Sequence, residues 1–294
     1  MLDVCLRAIW QCTRTDTRLV VLCRKDTIDD EARVVLKEAG ASLVEVDVDL
    51  APDVSSKIHG MMLDSFLPES VDTEYVMTLD SDCFPVRNGW LTMLLDMLNP
   101  GGAKISGILH PWAPPPEGMQ KSRIEWRVRS QHSWETTHVA CQLLRTDDLK
   151  ELKSLGAVYN GGDDTGLLIP EIAKQQGWRI DGFKVTRCPV PAASGNASGG
   201  VHGEIIDPEF NRYVCLVFGD MVYHHGGFSR TETFGDDPVF ENSFGWVQER
   251  ILREGASWLL DDKWSYRFKF DKEEKVAFEK MQRLFGMHGE RMQG

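Results

Sequence analysis

No apolar run in this chain approaches the roughly 20 residues that span a bilayer, so no transmembrane helix is expected. Nor is a secretory leader expected. The opening MLDVCLRAIW puts Asp3 and Arg7 where the apolar stretch of a signal peptide would lie. The expected location is the cytoplasm, which is compatible with peripheral contact at a membrane surface. The seven cysteines (5, 12, 23, 83, 141, 188 and 215) are scattered, odd in number and without a C-x-x-C pair. That argues against a zinc site or a disulfide framework and favours reduced, mostly buried thiols. Positive charge is scarce as well: 33 Lys and Arg face 45 Asp and Glu, a formal net of -12. No nucleic-acid partner is expected, since a phosphate backbone calls for a basic surface. A single nucleotide held through a metal is still compatible with this balance. There is no internal repeat. Asn196-Ala197-Ser198 fits a glycosylation acceptor but reads as chance, since no leader is expected.

What is present is a globular composition, 42% hydrophobic over 294 residues, enough for one large core or two modest ones. Strand and helix signals alternate in the first half, which predicts an α/β sheet with mainly parallel strands. The first dozen residues read as a helix, with Leu2, Cys5, Leu6 and Ile9 on one face. LVVLC, 19–23, is a continuous apolar run and reads as a strand buried on both faces. Helices are predicted over 29–39, stopped by Gly40, over 54–66 and over 90–98, with strands at 42–48, 75–79, 105–109 and 139–144. RIEWRVR, 123–129, alternates strictly and reads as a half-exposed strand. Residues 192–206 are rich in Gly, Ser and Ala and read as a loop. The tail from Asn242 reads as helical, with Asp271 capping a last helix.

The segment YVMTLDSDCFPV, 75–86, carries the strongest chemical signal. In an extended chain residues i and i+2 point the same way, so Asp80 and Asp82 are expected to project together from the C-terminal end of a strand. Open α/β sheets bind ligands at that end. Two adjacent carboxylates repel unless a cation lies between them, and a magnesium-like ion accepts one or two carboxylates together with phosphate oxygens. The plain alternative is a turn, where Asp and Ser are favoured in any case.

With these residues the chain resembles the GT-A glycosyltransferases, especially the inverting ones of family 2. TEYVMTLDSD is similar to their strand and DxD motif. Two later segments follow in the family's order. YNGGDDTGLLIPEIAKQQGWRI, 159–180, resembles the stretch in which an acidic pair opens a helix, and THVACQLLRTDDLKEL, 137–152, is similar to the strand and helix before it. VYHHGGFSR, 222–230, resembles the C-terminal motif that closes over the donor phosphates. The resemblance spans about residues 1–230. It implies a catalytic domain over 1–230, with a nucleotide-sugar half at about 1–100 and an acceptor half at about 101–230. A helical extension over 231–294 would follow.

The resemblance also implies roles. Asp80, Asp82 and His224 would hold Mn2+ or Mg2+; His224, Gly227 and Ser229 meet the spacing His-x-x-Gly-x-Ser, which favours His224 over His225. Asp164 would be the general base on an acceptor hydroxyl, with Asp163 beside it. Arg24, Lys25, Asp26, Lys57, His59, Asp80, Ser81 and Arg230 are candidates for the nucleotide sugar. Trp126 and Arg127 are candidates for the acceptor, a glycan or other hydroxyl compound. Ordinary readings stand beside these: Asp163 and Asp164 as helix caps, the basic residues as solvated surface, Trp126 as core.

The chain also departs from the family pattern. It begins at the helix that should follow the family's first, central strand, so that strand is expected to be missing. Cys23 stands near where an acidic residue often binds the base. Pro170 falls inside the helix after Asp164, which is therefore expected to start late or be distorted. Two other functions fit less well: a nucleotidyltransferase, for which no Gly-rich basic phosphate loop is found, and a non-catalytic module that keeps the fold.

Overall fold

The computed structural model describes residues 2–25, 27–48, 55–111, 134–161, 165–189, 215–225, 249–261 and 265–267. Helix α1 covers Leu2–Cys12 and buries Val4, Cys5, Ala8 and Ile9 on one face. Strands β1 (Val20–Arg24) and β2 (Ser42–Val46) flank helix α2 (Asp30–Glu38). The Asp29 carboxylate caps α2 by accepting from the Ala32 amide at 2.7 Å, and Gly40 leaves it with φ +64°. Helix α3 (Ser55–Phe66), strands β3 (Tyr75–Leu79) and β4 (Cys83–Pro85), helix α4 (Trp90–Leu98) and strand β5 (Ile105–Pro111) follow.

The second half contributes strand β6 (Trp134–Arg145) and helices α5 (Thr146–Ser154) and α6 (Leu168–Gln175). Strands β7 (Ile180–Phe183), β8 (Val185–Pro189), β9 (Cys215–Phe218) and β10 (Val222–His225) come next. Residues 249–254 are helical, a 3-10 turn covers Ala256–Leu260, and strand β11 (Ser265–Arg267) comes last. The predicted strand at 123–129, the loop at 192–206 and the cap Asp271 lie outside the described residues.

The strands form three sheets: β1-β2; a four-stranded sheet in the order β3-β6-β5-β7; and a five-stranded sheet in the order β11-β8-β9-β10-β4. An α/β architecture is therefore present, but the expectation of mainly parallel strands is corrected. Among the described pairings only β1/β2 and β5/β7 are parallel, while β3/β6, β5/β6, β8/β9, β9/β10, β4/β10 and β8/β11 are antiparallel. Alternation of elements along the sequence does not fix which strands become neighbours; the long strand β6 enters between β3 and β5 in the opposite sense.

The reading of 19–23 as a strand buried on both faces is corrected too. Of β1 only Cys23 is buried, because its sheet has just two strands. The Leu19 carbonyl accepts from Ser42 and the Lys25 amide donates to Val46, so odd-numbered residues of β1 bond to β2. The backbone groups of Val20, Leu22 and Arg24 therefore face the other edge. The tail, expected to be helical, contributes helix at 249–254 but also β11, which extends the five-stranded sheet. Pro170 is the third residue of α6. The helix begins late enough to keep the proline in its first turn, where the missing N–H costs nothing.

Two cores lie on the faces of the four-stranded sheet. One joins α1, α4, β4, β9, β10 and residues 251–259, with Phe84, Leu94, Leu143, Phe218 and Tyr223 at its centre. The other joins α3, α5 and α6 to β3, β5 and β6 through Leu63, Val76, Leu144, Leu149, Tyr159 and Ile169. Leu143 and Leu144 fall on opposite faces, as the two-residue period of a strand requires.

Helix α3 is pressed against the stretch that leads to Asp163. A Cβ on Gly60 would stand 2.6 Å from the Tyr159 carbonyl oxygen. Nearby, the Asp64 carboxylate accepts from the amides of Tyr159 and Asn160, both at 2.9 Å, and pairs with Lys153 at 2.5 Å. Gly60→Ala is expected to lower stability by about 1–3 kcal/mol, the usual cost of overpacking, because the contact is with backbone that cannot rotate away. Urea unfolding checks this; an unchanged midpoint would show that the helix can shift freely.

Candidate metal and donor site

Strand β3 ends at Leu79, but its ladder with β6 continues one residue further: the Asp80 amide donates to the Ala140 carbonyl at 3.0 Å. The chain then turns. The Cys83 amide donates back to the Asp80 carbonyl at 2.9 Å, and Cys83 enters β4 opposite His224 of β10. The His225 amide closes the other side on the Asp82 carbonyl at 2.9 Å. The carboxylates are therefore not related by extended-strand alternation, as the sequence suggested. They are the first and third residues of a tight turn, Asp80 to Cys83.

Asp80 continues the face of Val76 and Thr78, which is the face covered by α3. His59 of α3 brings its Nε2 to 3.4 Å from Asp80 Oδ1. Across the turn, His224 Nε2 lies 3.8 Å from Asp82 Oδ1, and both side chains are largely buried. His138 of β6 completes the group. Its ring centroid is 5.5 Å from that of His224, and the Ala140 amide donates to its Nδ1 at 3.1 Å, a bond that His138 would have to give up in order to ligate a metal. Asp80, His138 and His224 offer ligand atoms that all lie within 4.8 Å of one another. Asp82 stands outside this trio, next to His224.

An imidazole offsets a carboxylate's charge only when it is protonated or shares a cation. One carboxylate oxygen and two imidazole nitrogens form a donor set that suits manganese, iron or zinc better than magnesium, which prefers oxygen throughout. The residues present therefore fit a divalent ion and, of the two expected, favour Mn2+.

His138 went unnoticed in the sequence. Its only signal there is a lone imidazole in the otherwise uncharged run TTHVACQLL, and nothing in the spacing says that β6 lies beside β3.

Buried groups hold the turn from behind. Cys5 of α1 directs its Sγ to the Cys83 carbonyl at 3.3 Å and the Asp80 carbonyl at 3.9 Å. Burial, with Asp82 and Asp80 adding to it, pushes the Cys5 thiol up to about 12, so it stays protonated as a donor. His225, next to the candidate ligand, points away into the core. The Tyr223 hydroxyl and His225 Nδ1 are 2.6 Å apart. Burial, with a smaller contribution from the N-terminal amine, pushes the His225 imidazole down to about 3.

The remaining candidates divide clearly. Arg24 is exposed at the end of β1, and Lys25 Nζ is 3.8 Å from Asp47; neither is joined to the Asp80 group by a described contact. Ser81 is exposed at the crest of the turn. Lys57 is the third residue of α3, but its side chain is outside the described residues. Asp26, Trp126, Arg127, Asp163, Asp164 and Arg230 also lie outside them.

No protein-family model matches the chain, and no curated protein matches it. Solved structures do. A mannosyltransferase from Pyrobaculum calidifontis, solved with GDP-Man and Mn2+, is similar at 11% identity and a TM-score of 0.43, over 97% of this chain and 80% of its own. Mouse xyloside xylosyltransferase 1, in its apo form, is similar at 11% identity and a TM-score of 0.38, over 67% and 83%. A cytidylyltransferase from Leptospira borgpetersenii is similar at 13% identity and a TM-score of 0.37; the match covers 62% of this chain and 64% of that one. The matches are thus to GT-A glycosyltransferases and a cytidylyltransferase, all at low identity. Likenesses this distant leave the chemistry to be read from Asp80 and its neighbours.

Two measurements follow from the geometry. His138→Ala is expected to weaken Mn2+ binding about tenfold or more, on the scale seen when a metal site loses a supporting group, and calorimetry on the folded variant reads it directly. Acid should reveal His225. Its folded value of about 3 lies below the reference of 6.5, so the unfolded chain takes up the proton first. Stability is then complete above about pH 6.5 and falls by about 1.4 kcal/mol per unit as the pH drops towards 3. His225→Leu should flatten that slope in urea titrations run across the same range.

Proposed function

We propose that the protein is a metal-dependent glycosyltransferase that moves a sugar from a nucleotide-diphosphate sugar to an acceptor hydroxyl. The observation that carries this is the convergence of Asp80, His138 and His224 at the C-terminal end of β3, where open α/β sheets bind ligands. The order of the sequence motifs supports it. In this reading a divalent ion, Mn2+ by preference, is held by Asp80, His138 and His224, with Asp82 beside them, and when bound it supplies positive charge opposite the donor's diphosphate. His59 orients Asp80 from α3. Arg24, Lys25, Asp26, Lys57, Ser81 and Arg230 are the candidates for the rest of the donor, and Trp126 and Arg127 for the acceptor.

Asp164 serves as the base. Its carboxylate takes the acceptor hydroxyl's proton as that oxygen attacks the anomeric carbon, and the nucleoside diphosphate departs from the opposite face. The bond formed is oxygen to anomeric carbon, the bond broken is anomeric carbon to phosphate oxygen, and the configuration inverts. Asp163 positions its neighbour. The domain proposed over 1–230 holds both halves of this site. A cytoplasmic location belongs to the same reading.

The test is a panel of nucleotide sugars with Mn2+, read by product analysis. Transfer or slow hydrolysis that releases a nucleoside diphosphate supports the reading; pyrophosphate release from a nucleoside triphosphate would replace it with nucleotidyl transfer. Asp164→Asn is expected to keep donor and metal bound while transfer falls by about 10²–10⁴. A product with retained configuration, or transfer by the variant at the parent's rate, overturns the assignment of the base.

A further inference from the structure

A cavity of about 600 Å³ opens between α1, the turn from β4 into α4, and the helical stretch 251–257. That volume lies within the usual range for small-molecule sites. It is lined by none of the residues of the Asp80 group; Arg87 stands five residues beyond Asp82, past β4. Three arginines reach it from three different elements: Arg7, Arg87 and Arg253. In a protein with a formal net of -12, such a gathering of guanidinium groups is out of keeping with the rest of the composition.

Two of the three are balanced by acids. Arg7 Nε donates to Asp3 at 2.8 Å, and Arg253 bridges Glu249 at 3.4 Å and Glu254 at 3.2 Å. Among the described residues Glu254 is the one carboxylate on the wall, and Arg250 also claims it at 3.1 Å. No acid within the described residues balances Arg87. Neutral polar groups from Asn88 and Ser257 flank it, and Val86, Leu252 and Ala256 supply apolar wall. Leu252 is half exposed there.

We propose that this cavity binds a small molecule that carries a carboxylate or phosphate beside an apolar body. Arg87 supplies the unbalanced charge, Asn88 and Ser257 supply further hydrogen bonds, and the apolar wall takes the body. Guanidinium forks match planar or tetrahedral oxyanions with two parallel hydrogen bonds. The site is independent of the reading of Asp80: it needs no metal and shares no residue with that group.

The experiment is calorimetric titration of the full chain in EDTA, which silences any cation-dependent binding. The probes are inorganic phosphate, acetate and hexanoate. Saturable binding is expected, weakened by about tenfold or more in Arg87→Gln, the loss of one charge-assisted pair, and partly kept in Arg87→Lys. Asp80→Asn should bind as the parent does. Phosphate binding more tightly than hexanoate assigns a phosphoester ligand; hexanoate binding more tightly than both phosphate and acetate assigns a carboxylate on an apolar body. Arg87 is exposed, and thermal melts check that its variants fold. Absence of saturable binding, equal affinity in folded Arg87→Gln, or loss of binding in Asp80→Asn overturns the proposal.

Discussion

The turn from Asp80 to Cys83 is the seam on which the rest of the structure depends. On one side the Asp80 amide extends the ladder of the four-stranded sheet; on the other the Asp82 carbonyl receives His225 from the five-stranded sheet. The two sheets are thus joined through four residues with almost no slack. A buried backbone amide or carbonyl without a partner is costly, so each ladder fixes its own end of the turn. The side chains then have little choice. Asp80 is directed to the α3 face and Asp82 to His224.

This arrangement places charge where it is hard to keep. Carboxylates brought close together in partly buried surroundings are tolerated when cationic or hydrogen-bonding groups meet them. Here imidazoles meet them from α3, β6 and β10, three elements far apart in sequence. Behind the turn, Cys5 and the Tyr223–His225 pair give a neutral, hydrogen-bonded backing, which keeps the polarity of the site on its open side. Function, in the reading proposed, uses the same polarity: a site that cannot easily remain as bare carboxylates has an affinity for cations and, through them, for phosphate.

Sequence patterns and tertiary geometry diverge at particular residues. Asp80, Asp82 and His224 stand out in the sequence because a paired Asp after an apolar strand, and a His pair before Gly-Gly, are local signals. His59 reads there only as a candidate for the nucleotide sugar, and its place beside Asp80 comes from the packing of α3. His138 does not stand out, since one imidazole inside a strand says nothing until the neighbour of that strand is known. The same holds for sheet direction. Strands β1, β2, β3, β5 and β6 announce themselves through apolar runs, whereas the three residues of β4 do not; and whether two strands run parallel is a matter of contacts between distant segments. Arg87 gives the clearest case: in the sequence it is a single charge in a turn, and only the packing of α1 and residues 251–257 around it makes a cavity.

What the sequence by itself determined is therefore local: the helices α1 to α4, with the stop of α2 at Gly40, the strand that delivers Asp80, and the excess of acid over base. Those follow from interactions within a few residues, such as capping by Asp29 and the left-handed exit at Gly40. The tertiary structure alone decided the antiparallel sense of β6, the half-burial of β1, the turn geometry at 80–83 and the meeting of Asp80 with His138 and His224. Each of those depends on hydrogen bonds or packing between residues tens of positions apart, where the choice of partner is a competition across the whole chain that no local pattern records.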